Sequence, residues 1–269
     1  MMSQYGLYAY GLAGKSPQSL DILGIDKQNK VFSVAGSEIS VLVSLIDIDQ
    51  FQLQVKSLLS AFTSSMETLQ QGTGAILQAH EDVIDALMQD TTVVPLKFGT
   101  ILKDEHAALT MLQDEEEKFK SLLAKFTGRV ELGLKLYADK QTLLKHVTDV
   151  GPQFKNLAEK REKLSRGTAY LLGRKIEEEA KDHAAVQLAE VTEAIFQALG
   201  KEAYEAKMTT TLPQKMTQKN KEMILNAAFL VEKENVAHFC HYGQTFMAQY
   251  TFMGLDHEVS GPWPPYNFT

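Results

Sequence analysis

From Arg129 the chain alternates strictly, with Val130, Leu132, Leu134 and Leu136 set against Arg129, Glu131, Lys135 and Tyr137, which is the period of a half-buried β-strand. The segments beyond this strand constrain the fold. A helical stretch broken at Gly151 and Pro152 leads into a long helix over about 168–200, with Leu172, Ile176, Ala180, Ala184, Leu188, Val191, Ile195 and Leu199 on one stripe. Two strands come next, one placing Tyr204, Ala206, Met208 and Thr210 on one face, the other being EMILNAAFLV. A short helix near 234–249 and a last strand, TFMGLDHEV, complete the order β-α-β-β-α-β. That order is the ferredoxin-like arrangement, an antiparallel sheet with two helices on one face. Because EMILNAAFLV is apolar on both sides, the opposite face must also be covered, by the N-terminal domain, the C-terminal tail or a partner.

A boundary just before Arg129 divides the 269 residues into an N-terminal domain, 1–128, and a C-terminal domain, 129–269, at the usual size of about 100–200 residues each. In the first, YGLYAYGLAG, VFSVAG and SEISVLVSLIDID read as strands. Ser64 and Glu67 have the spacing of a capping box, and Leu77, Val83, Ile84 and Leu87 predict a helix over about 75–90. TTVVPLKFGT is a short strand that Pro95 confines to an edge or a bulge. Leu109, Leu112, Phe119, Leu122, Leu123 and Phe126 predict one helix over about 104–127, closed by Gly128. The fold class is α+β in two domains.

Hydrophobic residues make up 44% of the chain and charged residues 23%, enough for a sizeable core under a solvated surface. The formal charge of −7 offers no general attraction to nucleic acid or to an anionic membrane, so neither is expected as a partner. Cys240 is the only cysteine, which excludes an internal disulfide or a Cys-rich metal framework and suits a reducing compartment. The N-terminus lacks the pattern of a signal peptide, and no apolar run approaches the ~18–20 residues of a spanning helix. The expected location is the cytoplasm.

Several motifs suggest chemistry and fall short of it. Gly14, Lys15 and Ser16 follow a strand as in a phosphate-binding loop, and Asp47 ends an apolar strand like a metal-binding acid. Ala9 stands at the first glycine position, however, Pro17 removes an N–H where phosphate would be held, and Gly24 breaks the helix that should follow. His80-Glu81 opens like a zinc-protease helix, but Ile84 takes the place of the second histidine. His238 and His241 share a helix face around Cys240, with His257 further on, and nothing in the sequence makes them converge. The acidic run Glu115, Glu116 and Glu117 reads as a solvated helix face. No catalytic, cofactor or metal site is expected.

The tail SGPWPPYNFT gathers the only Trp, three of the seven prolines, a Tyr and a Phe. Pro262, Pro264 and Pro265 favour an extended backbone of low entropy, so that Trp263, Tyr266 and Phe268 are presented as rigid anchors. They either fold back over the sheet or the domain junction, or contact a partner through Trp263, Pro264, Pro265, Tyr266 and Phe268.

This tail, with YAYG at 8–11, His80-Glu81, VVPLKFGT at 93–100, VELGLKLYAD at 130–139, GTAYLLGRK at 167–175 and NAAFLV at 226–231, resembles the gas vesicle protein F/L family, GvpL/GvpF. Lys97 and Val94 depart from the family pattern, where Arg and Leu are expected, and Lys97 keeps the charge but not the planar fork. The resemblance implies a non-enzymatic structural or assembly protein of gas vesicles, located on the vesicle within the cytoplasm. Its implied partners are the hydrophobic shell protein, whose aggregation it limits during nucleation, and other gas vesicle proteins. Lys outnumbers Arg 23 to 4 and the pI is ≈ 5.6, which suits a freshwater cyanobacterial host rather than a haloarchaeal one. The competing class is a nucleotide-dependent assembly enzyme using Lys15, Ser16 and Asp47.

Overall fold

The computed structural model describes residues 4–14, 19–64, 74–217 and 219–269. They form two compact units, one of Met1–Val130 with Trp263–Thr269 and one of Glu131–Pro262. The tail, assigned by sequence to the C-terminal domain, therefore belongs with the N-terminal unit.

The first unit contains β1 (Tyr5–Gly14), β2 (Ser19–Leu23), β3 (Lys30–Ala35), β4 (Ile39–Asp47), α1 (Ile48–Ser64), α2 (Ala75–Asp90), β5 (Val93–Pro95), β6 (Ile101–Leu102), α3 (Glu105–Asp114) and α4 (Glu116–Phe126). Its antiparallel sheet runs β2-β3-β4-β1-β5, with β6 also paired to β1. Pro95, with no N–H to donate, stands on the edge strand β5. A bulge interrupts β1, where Ala9 faces Val43 but Gly11 faces Leu42, leaving Tyr10 as the extra residue. Tyr8, Tyr10 and Ala13 consequently share one core with Leu42, Ile46, Phe51, Val83 and Ile84. Helices α1 and α2 cover that face, while α3 and α4 pack on the other, where Ala9, Leu12, Val41 and Val43 are buried.

Gly11 permits β5 to approach β1, since a Cβ there would lie 2.5 Å from Val93 Cγ1 and 2.8 Å from the Val94 carbonyl oxygen. Gly11→Ala is expected to cost about 2–3 kcal/mol through overpacking against backbone that cannot withdraw. Chemical denaturation of the variant checks this, and an unchanged midpoint would show that β5 yields freely.

The second unit contains β7 (Arg129–Ala138) from Glu131 on, α5 (Lys140–Val150), α6 (Pro152–Glu162), α7 (Arg166–Lys201), β8 (Glu205–Met208), α8 (Gln214–Thr217), β9 (Glu222–Glu232), α9 (Val236–Ala248) and β10 (Leu255–Trp263) up to Pro262. Its sheet runs β10-β7-β9-β8. Leu132, Leu134 and Leu136 of β7 and Leu225, Ala227, Phe229 and Val231 of β9 meet Val147, Ala180, Ile195, Leu199 and Phe239 of the helices. Ala228 and Leu230, of opposite parity on β9, are buried too.

Several elements differ from expectation, β2, β6 and α8 among them, for which the sequence reading has no counterpart. The single helix over 104–127 is broken at Glu115, which leaves helical geometry at φ −117°, ψ 19°. The break expected at Gly151 and Pro152 is present, so that the first crossover holds α5, α6 and α7, with Pro152 opening α6 where its missing N–H has no helical partner to lose. Helix α1 has no counterpart in the order read from sequence, and β10 begins at Leu255 after a short 3₁₀ turn over Thr251–Met253. Of the capping box, Ser64 ends α1 and Glu67 lies outside the described residues.

Candidate functional site

Helix α2 buries Ala79, His80, Val83, Ile84 and Leu87, so His80 occupies a core position on an otherwise apolar stripe and is 1% exposed. A buried imidazole needs partners for both nitrogens. Nδ1 lies 2.9 Å from the Tyr8 hydroxyl and Nε2 lies 3.0 Å from the Tyr266 hydroxyl. Tyr266 in turn donates to the Glu81 carboxylate at 3.2 Å, and the Gly99 N–H donates to the Tyr8 oxygen at 3.0 Å.

These contacts order the protons. Because Tyr266 spends its hydrogen on Glu81, it must accept from His80 Nε2–H. Nδ1 is then unprotonated and accepts from Tyr8 O–H, while the Tyr8 oxygen accepts from Gly99. Every member gives one hydrogen bond in a single direction, and the arrangement specifies one neutral tautomer. Gly99 sits at φ +83°, in the left-handed region that favours glycine, and that turn brings its N–H to Tyr8.

Aromatic rings close the surroundings. Phe98 meets the His80 ring edge-on at 5.5 Å and Tyr10 stacks at 6.0 Å. The Tyr10 hydroxyl lies 2.7 Å from Ser44 Oγ and accepts from the Ile25 N–H at 2.7 Å. Burial shifts the titrations accordingly. The imidazole is pushed down to about 4 by loss of water. Burial raises the phenol of Tyr8, moves that of Tyr10 up to about 12, and, with the neighbouring Glu81 charge, raises that of Tyr266. The carboxyls of Glu81 and Asp85 are also raised by burial. Both imidazole nitrogens are occupied by tyrosine hydroxyls, one from β1 and one from the tail, so the cluster clasps the tail to the first unit.

The tail is held at two further points. Pro264, Pro265 and Phe268 are buried, and Lys125 Nζ lies 5.5 Å over the Phe268 ring while donating to its carbonyl at 3.3 Å. Trp263 alone among the aromatics of the tail keeps a large exposed surface, at 43%. Four segments far apart in sequence, YAYG, His80-Glu81, VVPLKFGT and the tail, thus meet through side-chain and main-chain hydrogen bonds. Sequence reasoning missed this convergence, although a histidine on the α2 apolar stripe and two tyrosines on one strand face were its visible signals.

Among the described residues, the others singled out by sequence do not assemble into a site. Lys15 and Ser16 lie outside the described residues, and Asp47 accepts from the Gln50 N–H at the start of α1. His238 pairs with Glu202 at 3.2 Å on an exposed face. Among the described residues, no group of three or more His, Cys, Asp or Glu is placed to hold a metal. Lys120 pairs with Glu116 and Glu117 on the solvated face of α4 and with Glu38. No helix among the described residues is long and apolar enough to cross a membrane.

The family model described as gas vesicle synthesis protein GvpL/GvpF matches residues 6–269. Gas vesicle protein F of a Streptomyces strain is 28% identical over 195 residues, covering 71% of this chain and 76% of that protein. Gas vesicle protein F of a Nostoc strain is 25% identical over 240 residues, covering 87% and 86%. The crystal structure of the gas vesicle protein GvpF from Anabaena sp. PCC7120 has the same fold, with a TM-score of 0.70 at 23% identity over 98% of this chain and 97% of that one. With the matched region running from β1 through the clasped tail, the chain belongs to the GvpL/GvpF family and has its role in gas vesicle formation.

Proposed function

We propose that this protein is a non-enzymatic assembly or minor structural component that binds the hydrophobic shell protein of the gas vesicle and limits its aggregation during nucleation, on the vesicle within the cytoplasm. The observation that carries this reading is the exposed Trp263 ring beside a tail in which Pro264, Pro265 and Phe268 are buried and Tyr266 is hydrogen-bonded to His80 and Glu81. A rigid aromatic at the edge of a buried segment loses little entropy when a partner covers it. Pro264, Pro265, Tyr266 and Phe268 serve that contact by positioning it. We further read the second unit as ferredoxin-like with an enlarged first crossover, a reading supported by the strand order β10-β7-β9-β8.

Trp263→Ala is expected to change stability by less than about 1 kcal/mol and to weaken shell-protein binding by ~10-fold or more. Paired denaturation and binding measurements, with light scattering to follow shell-protein aggregation, test it. Undiminished binding and protection would remove Trp263 from the interface.

A further inference from the structure

The hairpin formed by α6 and α7 carries charge opposite in sign to the chain. From Lys155 to Lys175 seven basic residues stand against Glu159 and Glu162, in a protein whose formal charge is −7. The choice of cation is also unusual. The chain uses Lys for 23 of its 27 basic residues, yet three of its four arginines, Arg161, Arg166 and Arg174, lie within this hairpin.

Among the described residues, Lys160, Lys163 and Arg166 form no ion pair. Arg174 pairs with Glu178 on its own helix, at 4.0 Å with both side chains exposed, and its charge also bears on exposed Glu177, pairings worth little in water. Arg161 is braced instead. Its Nε donates to the Ala169 carbonyl at 3.1 Å, and its guanidinium lies against Gly173, where a Cβ would come within 3.0 Å. Beside these cations stand apolar side chains with no cover, Leu164 at 42%, Tyr170 at 63% and Leu171 at 68% exposure.

We infer that this hairpin tip docks an acidic segment of a partner protein, one that offers carboxylates to Arg166 and Arg174 and an apolar side chain to Tyr170 and Leu171. Arg166, Tyr170 and Arg174 succeed one another at intervals of four residues, so the two guanidinium groups start about 12 Å apart along the helix with the ring between them. Planar guanidinium forks match carboxylates in pairs of parallel hydrogen bonds, which lysine cannot do. Arg and Tyr are also the residues that most often dominate protein interfaces. A lipid surface would be served equally well by lysine, and three apolar side chains at a hairpin tip do not make the long apolar face of a helix lying in a bilayer. The overall negative charge opposes a polyanion such as nucleic acid at long range. The surface belongs to the second unit, whereas Trp263 belongs to the first.

The test uses the full chain and a labelled helical peptide with two Glu eight residues apart and a Leu midway between them, beside the same peptide with Gln in place of both Glu. The Glu peptide is expected to bind at least ~10-fold more tightly than the Gln peptide, with a salt dependence that the Gln peptide lacks. Arg166→Gln with Arg174→Gln should remove that preference, and Tyr170→Ser with Leu171→Ser should weaken the Glu peptide by ~5-fold or more. Thermal unfolding should not move, because all four side chains are exposed. Equal binding of the two peptides overturns the proposal. So does binding to phosphatidylglycerol vesicles or to a single-stranded oligonucleotide that exceeds peptide binding and is lost in the same variants. Self-association in sedimentation that the arginine variant abolishes would make a second copy the occupant and would likewise overturn it.

Discussion

Deleting Trp263–Thr269 is expected to destabilise the N-terminal unit by about 4–6 kcal/mol, a large part of the ~5–15 kcal/mol that holds a typical domain. Phe268 is 5% exposed, and burying such a ring contributes about 1.5–3 kcal/mol. Loss of Tyr266 removes the partner of His80 Nε2 and frees Glu81, and a buried donor left unsatisfied costs about 1–3 kcal/mol more. Urea denaturation followed by hydrogen exchange at β1 and α2 reads this directly. A truncated protein with the same midpoint would show that the tail rests on the unit without supporting it. Tyr266→Phe separates the two contributions, since it keeps the ring and removes only the hydroxyl.

Acid should loosen the same clasp. His80 is neutral in the folded protein and its titration is pushed down to about 4, against about 6.5 in an unfolded chain. A group whose folded value is depressed in this way contributes nothing unfavourable above pH 6.5. As pH falls from 6.5 towards 4 the unfolded state takes up the proton first, and stability declines by up to about 3 kcal/mol. Glu81 and Asp85, whose carboxyls are raised, act in the opposite direction over the acidic end of the range. Comparing the wild-type chain with His80→Gln isolates the imidazole, because only the wild type should show the extra loss. Histidine ring NMR gives the independent check, with a midpoint near 4 expected for His80. A midpoint above 6 would mean that the ring is hydrated and that the proton order of the clasp is wrong.

Much of the architecture was legible because periodicity reports burial. Leu77, Val83, Ile84 and Leu87 marked α2, and the alternation from Arg129 marked β7, because each face meets one environment along its length. Helix α1 escaped because its described core contacts, Phe51 and Leu58, are sparse and come directly after the apolar β4. The break at Glu115 escaped because the apolar residues on either side keep helical spacing across it. The clasp was the least legible feature. His80 and Tyr266 are 186 positions apart, and nothing local in either segment names the other. Lone histidines and aromatic tails have local explanations sufficient in themselves, and only the sheet bulge at Tyr10 together with the Gly99 turn brings their partners into reach.

The order in which the chain is made differs from the order in which its first unit can be completed. Ribosomes deliver β1, α2 and the Gly99 turn early, but residues 263–269 emerge only after every strand of the second unit. Until then the Nε2 donor of His80 faces water or a substitute, and the seat of Phe268 beside Lys125 is open. A nascent N-terminal unit therefore gains its last aromatic anchors only after about 130 further residues have been made.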